Sequence, residues 1–202
     1  MALLDPHRRL ATLWLLLSLI GCSQEPTREL PALAGALLLP GGRSVLHVAV
    51  NGELGLWSLD QPRRVLDREV LPQLALDPKR SLVVYARRPP AGGELWAADL
   101  SGRWRHQLTT GGAACLPAIS PDGRRVAFID TSPQGLASLF VVPVEGGAPR
   151  QVTNVGLRAV GRGPPAGFIP PPETTGGLSW EGEAIVVESR RGRFVVRPGA
   201  IP

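Results

Sequence analysis

The chain has 202 residues, 44% of them hydrophobic, with 24 Gly and 21 Pro. That is enough apolar material to bury a core and too much for a disordered chain. The Gly and Pro content beside abundant Val and Leu points to short strands and tight turns rather than helices. The formal charge of +5 comes from arginine, Lys79 being the only lysine. Arg8 and Arg9 belong to a leader, so the remainder is only mildly basic, and nucleic acid is a poor fit as partner.

Residues 1–21 read as a lipoprotein signal peptide: Arg8 and Arg9 form a positive start, and Leu10 to Ile20 is an apolar stretch too short to span a bilayer. Leu19-Ile20-Gly21-Cys22 resembles the bacterial lipobox, which implies acylation of Cys22; the alternative is an ordinary secretory signal with a chance cysteine. Ser23 follows, where Asp in lipobox proteins tends to retain the chain at the inner membrane. The periplasmic face of the outer membrane is therefore the expected address. With Cys22 lipidated, Cys115 is left without a disulfide partner and is expected to be a small buried hydrophobe.

The rest, 22–202, reads as one all-β domain built on a repeat whose clearest copy is Leu116 to Thr153. Ser120-Pro121-Asp122-Gly123 is a turn, because Pro presets φ, Asp bonds the backbone ahead and Gly accepts positive φ. A β-branched and aromatic run around Val126 and Phe128 follows, then a turn from Ser132 to Gly135, a second run from Ser138 to Val144, and a polar strand from Arg150 to Thr153. Related turns recur at Pro40, at Pro78 and, in degenerate form, at Ser179-Trp180-Glu181-Gly182; the first three stand about 40 residues apart, the range of propeller blades. The blades are expected at about 36–68, 71–110, 115–155 and 175–200.

The fourth copy ends without a polar outer strand. Thr27-Arg28-Glu29-Leu30 matches the endings Arg105-His106-Gln107-Leu108 and Arg150-Gln151-Val152-Thr153, so residues 25–30 are expected to complete the last blade and close the ring. The expected fold is a β-propeller of four blades with four antiparallel strands each. Closure within one chain and a larger ring made by two molecules both remain open; the expected state is a monomer.

The Ser-Pro-Asp-Gly turn, apolar strand, aromatic position and Arg-Gln-Val-Thr ending resemble the propeller repeats of the TolB family of the Tol-Pal system. The resemblance is sharp from Leu116 to Thr153 and degenerate in the other copies. It implies a propeller that binds other envelope proteins. Propellers of that family have six blades and TolB carries a separate N-terminal α/β domain, for which this chain has no room. No residue of the family's partner surface can be placed here.

No catalytic, cofactor or metal residue is expected. His47 and His106 fall in different blades with no Cys or carboxylate cluster around them, Asp77 and Asp122 occupy turn positions, and there is no Gly-x-Ser-x-Gly elbow. The arginine doublets at Arg63, Arg87, Arg124 and Arg190 are expected at strand ends or turns. One segment breaks the repeat, the proline-rich insertion 156–177. Pro164, Pro165, Pro170, Pro171 and Pro172 favour polyproline II and hold Phe168 and Ile169 between them. It is either a partner-docking loop or a connector whose Phe168 packs on a blade. The expected function is a non-enzymatic, lipid-anchored interaction scaffold for periplasmic or envelope proteins; the rival is a ligand-binding or lactonase-like propeller with a metal in its channel.

Overall fold

The computed structural model describes residues 32–77, 79–88, 93–111, 113–153, 177–189 and 192–198. Cys22, the expected clasp at 25–30 and the insertion residues Pro164 to Pro172 lie outside the described residues. The described elements are all strands, in four antiparallel sheets. The first comprises β1 (Leu33–Leu38), β2 (Ser44–Ala49), β3 (Leu54–Ser58) and β4 (Gln61–Asp67). The second is β5 (Val70–Asp77), β6 (Leu82–Arg87), β7 (Glu94–Asp99) and β8 (Arg105–Gln107); the third is β9 (Cys115–Ile119), β10 (Arg125–Thr131), β11 (Ala137–Pro143) and β12 (Arg150–Gln151). The fourth holds β13 (Leu178–Glu181), β14 (Ala184–Ser189) and β15 (Gly192–Val196), three strands among the described residues. Within each sheet the strands pair in chain order, so every sheet is a meander and one propeller blade.

Alternation along the second and third strands gives each blade a backward face toward the preceding blade and a forward face toward the next. On the backward faces, Val45, Val83, Val126 and Ile185 pair with Trp57, Ala98, Val142 and Val196. Two residues along, His47, Tyr85, Phe128 and Val187 pair with Gly55, Trp96, Phe140 and Phe194. Three buried clusters follow. Leu46, Val48 and Leu54 of the first blade pack on Val83, Tyr85 and Ala98 of the second. Leu82, Val84 and Leu95 pack on Val126, Phe128 and Val142, and Ala127, Ile129 and Leu139 pack with Ile185. Each fully buried aliphatic side chain contributes about 1.5–3 kcal/mol relative to exposure.

The joints carry a repeated polar contact. Arg64, His106 and Arg150 hold the same register in β4, β8 and β12, opposite Leu56, Ala97 and Val141. Each reaches a backbone carbonyl of the next blade: Arg64 to Ser101 at 2.8 Å, His106 to Val144 at 2.9 Å, Arg150 to Pro198 at 2.9 Å. The doublet member Arg64 thus lies within a strand and joins two blades, rather than marking a strand end. A second contact links the first turns of neighbouring blades, where the Arg80 guanidinium donates to the Gly123 carbonyl at 2.6 Å. Gly123 has φ of 66°, and a Cβ there would stand 2.5 Å from Asp77 Oδ2, so both conformation and space require glycine.

The shared polar ending now has a physical reason. β8 and β12 are very short, and side chains extend their pairing: Thr109 Oγ1 accepts from Leu95 N at 2.9 Å and Thr153 Oγ1 from Leu139 N at 3.0 Å. Gln107 and Gln151 donate to the carbonyls of Thr109 and Thr153 at 2.8 and 2.6 Å. Asp77 and Asp122 are turn bonders as expected, accepting from Lys79 N at 3.0 Å and Arg124 N at 3.1 Å. The fourth blade differs from expectation in its first turn: Ser179 to Glu181 belong to β13, and the turn is only Gly182-Glu183, with Glu181 paired to Ala184. Cys115 is 3% exposed, and burial pushes its thiol up to about 12. At pH 8, alkylation by iodoacetamide is therefore expected to leave Cys115 unmodified in the folded chain and to label it on unfolding, as peptide mapping would show.

Candidate interaction surface

The polar and aromatic side chains concentrate where the first three blades meet at their outer strands. Asp67 ends β4, and its side chain is 4% exposed. Tyr85, fully buried on β6, donates to Asp67 Oδ2 at 2.6 Å, and Arg105 on β8 reaches Oδ1 at 2.6 Å. Arg87 stands 3.8 Å from the same carboxylate. Arg87 and Arg105 both lie over the Trp96 ring, at 5.3 and 6.0 Å from its centroid. Burial and the hydrogen bond to Asp67 push the Tyr85 hydroxyl far above the ordinary phenol range, so it stays a neutral donor. This network fixes β8 and the loop that leads into it.

That loop carries Trp104, 43% exposed, with its ring stacked on His106 at 5.2 Å between centroids and 26° between planes. The hydrogen bond from His106 to Val144 anchors the stack across the joint between the second and third blades. Trp104 separates two hollows. One, of about 480 Å³, opens between the blades with Arg80, Leu82, Val144 and Glu145 in its walls. The other, of about 300 Å³, lies against Leu66, Gly102 and Arg103. A third, of about 630 Å³, continues past Arg105 along Asp67, Arg68 and Arg87. Together they form a groove with an aromatic ridge and cationic walls, the composition of protein-binding hot spots.

Sequence reasoning placed His106 in a strand but did not single out Trp104. The signal was a tryptophan among Arg103, Arg105 and His106 just after the Ser101-Gly102 turn, where an apolar ring has no strand face to bury in. His47 is buried, as expected of a packing residue. Its ring lies over Gly55, and burial followed by the Arg63 charge lowers its pKa, so it is neutral. Among the described residues no three of His, Cys, Asp and Glu come together as a metal-holding group.

No family model matches the chain, and no curated protein matches it in sequence. Solved structures do. TolB from Acinetobacter baumannii aligns with a TM-score of 0.50 at 19% identity, over 72% of this chain and 37% of that one. The fold is that of a TolB-like β-propeller. The propeller domain of the Trilobed protease from Pyrococcus furiosus, described as having an open velcro topology, aligns with a TM-score of 0.53 at 12% identity, over 79% of this chain and 48% of that one. A chain of the nidogen/laminin complex aligns with a TM-score of 0.55 at 14% identity, over 83% of this chain and 61% of that one. The TolB-like chain thus spans less than two thirds of each of these structures.

Proposed function

We propose that this TolB-like propeller is a non-enzymatic interaction scaffold, tethered through a lipid on Cys22 at the periplasmic face of the outer membrane, where it docks other envelope proteins. The observation that carries the reading is Trp104, a large aromatic ring held partly exposed and rigid on His106 between two hollows. A tryptophan fixed in this way has little conformational entropy left to lose on binding, and neighbouring arginines supply directional donors. The likeness to TolB, whose family belongs to the Tol-Pal system, and to a structure of two proteins in complex, nidogen with laminin, supports the same reading. The proline-rich segment with Phe168 and Ile169 is proposed as a second docking element.

The Trp104→Ala variant tests this. It is expected to change unfolding free energy by less than about 0.5 kcal/mol, the ordinary effect at a surface site. It is also expected to lose partners recovered by crosslinking in intact cells. Unchanged recovery of the same partners would remove Trp104 from the docking surface.

A further inference from the structure

The two ends of the blade series are unlike its joints. Among the described residues no buried cluster joins the fourth blade to the first. The backward face of the first blade leaves Leu38 66% and Val65 41% exposed, where the second and third blades hold half-buried Leu76 and Ile119 at the first position and Gln107 and Gln151 at the second. It also carries the two buried polar atoms without a hydrogen-bond partner among the described residues, His47 Nε2 and Trp57 Nε1. The counterpart of His47 in the second blade is Tyr85, whose hydroxyl is satisfied by Asp67 of the preceding blade. At the third joint, Trp180 Nε1 donates to the Ala118 carbonyl of the preceding blade at 3.0 Å. In both cases a polar atom on a backward face is answered from the blade before, and among the described residues no blade precedes the first.

The forward face of the fourth blade departs from the repeat in a matching way. Arg193 and Glu188, paired across β14 and β15, stand where the earlier blades place Leu54 with Val48, Leu95 with Ala86, and Leu139 with Ile129. Arg193 Nε lies 3.4 Å from Glu188, and Arg193 also pairs with Glu181. Val195 beside it is 53% exposed. The charged departures fall on one free face and the unanswered polar atoms on the other. The His47 ring itself lies over Gly55, which has no side chain, and so presents its Nε2 on this face beside the Trp57 indole. A carboxylate can accept from an indole N–H, and a guanidinium can donate to a neutral imidazole nitrogen.

We propose that the forward face of the fourth blade docks on the backward face of the first blade of a second copy of this chain, two such contacts joining two arcs into one ring. The chain aligns with about half, 48%, of a chain described as the propeller domain of a protease, so the four blades match about half of that domain. A head-to-tail contact of this kind closes when two rotations complete the circle.

The test is the mass of the full chain purified in detergent, followed by light scattering over a hundredfold range of concentration. Wild type is expected at twice the chain mass. Leu38→Glu and Arg193→Glu, both at exposed positions, are each expected to raise the dissociation constant at least tenfold with far-UV circular dichroism unchanged. A wild-type monomer at every concentration would overturn the proposal, as would a dimer that Leu38→Glu breaks and Arg193→Glu does not, since that pattern means first blade against first blade. A crosslink within one chain between Leu38→Cys and Val195→Cys, in a monomer, would show that the arc closes on itself and would overturn it equally.

Discussion

Replacing Asp67 with Ala is expected to destabilise the fold by about 3 kcal/mol, because it removes the acceptor of a fully buried phenol and the counter-charge of two arginines. Arg105 is 51% exposed and can be rehydrated, so most of the cost falls on Tyr85. Asp67→Asn retains an acceptor for Tyr85 and is expected to cost about 1 kcal/mol. Tyr85→Phe leaves Asp67 its arginines, and its cost is expected to be of similar size, about 1 kcal/mol. In a double-mutant cycle, Asp67→Ala and Tyr85→Phe together should cost clearly less than the sum of the single changes, because they share one hydrogen bond. Urea midpoints at constant slope measure all four values. A change below about 0.5 kcal/mol for Asp67→Ala, the size of a neutral surface change, would mean that the joint of the first two blades does not depend on this carboxylate.

Phe128→Ala is expected to be the most damaging single core change, at about 3–5 kcal/mol. Phe128 is fully buried, stacks on Phe140 with centroids 5.7 Å apart, and sits in the cluster that joins the second blade to the third. Its removal empties space that neither flanking sheet can fill, since both are held in register by their ladders. Phe140→Ala, at a half-buried position, should cost less. The order of the two, read from thermal or urea unfolding, checks the alternation on which the blade faces were assigned.

Much of the architecture was legible from turn chemistry and alternation. Ser120-Pro121-Asp122-Gly123 fixed the third blade because each residue has a local task there, and Asp122 keeps its carboxyl below the usual range through the hydrogen bonds from Ser120 and Arg124. The Arg-Gln-Val-Thr ending was readable as a strand signature, but its reason was not: Gln151 and Thr153 replace ladder bonds that a two-residue strand lacks. The first turn of the fourth blade was misplaced because Trp180 and Glu181 look like turn residues in a degenerate repeat. Burial of Trp180 against the third blade, with Arg125 over its ring at 5.0 Å, holds them in a strand instead. The network around Asp67 was invisible because it joins residues from different blades, such as Asp67 and Arg105, which no local pattern relates. The unlike ends of the series emerged only once register placed Arg193 at a leucine position and His47 at an aromatic one.

The most direct test of the interaction-scaffold account is site-specific photo-crosslinking in intact cells, with the photoreactive group at Trp104 and, as control, at the exposed turn residue Gln134. The account predicts discrete protein adducts from position 104, reproduced at native expression level, and none of the same mass from position 134. Equal adducts from both positions, or none from position 104 while the chain remains folded, would contradict it.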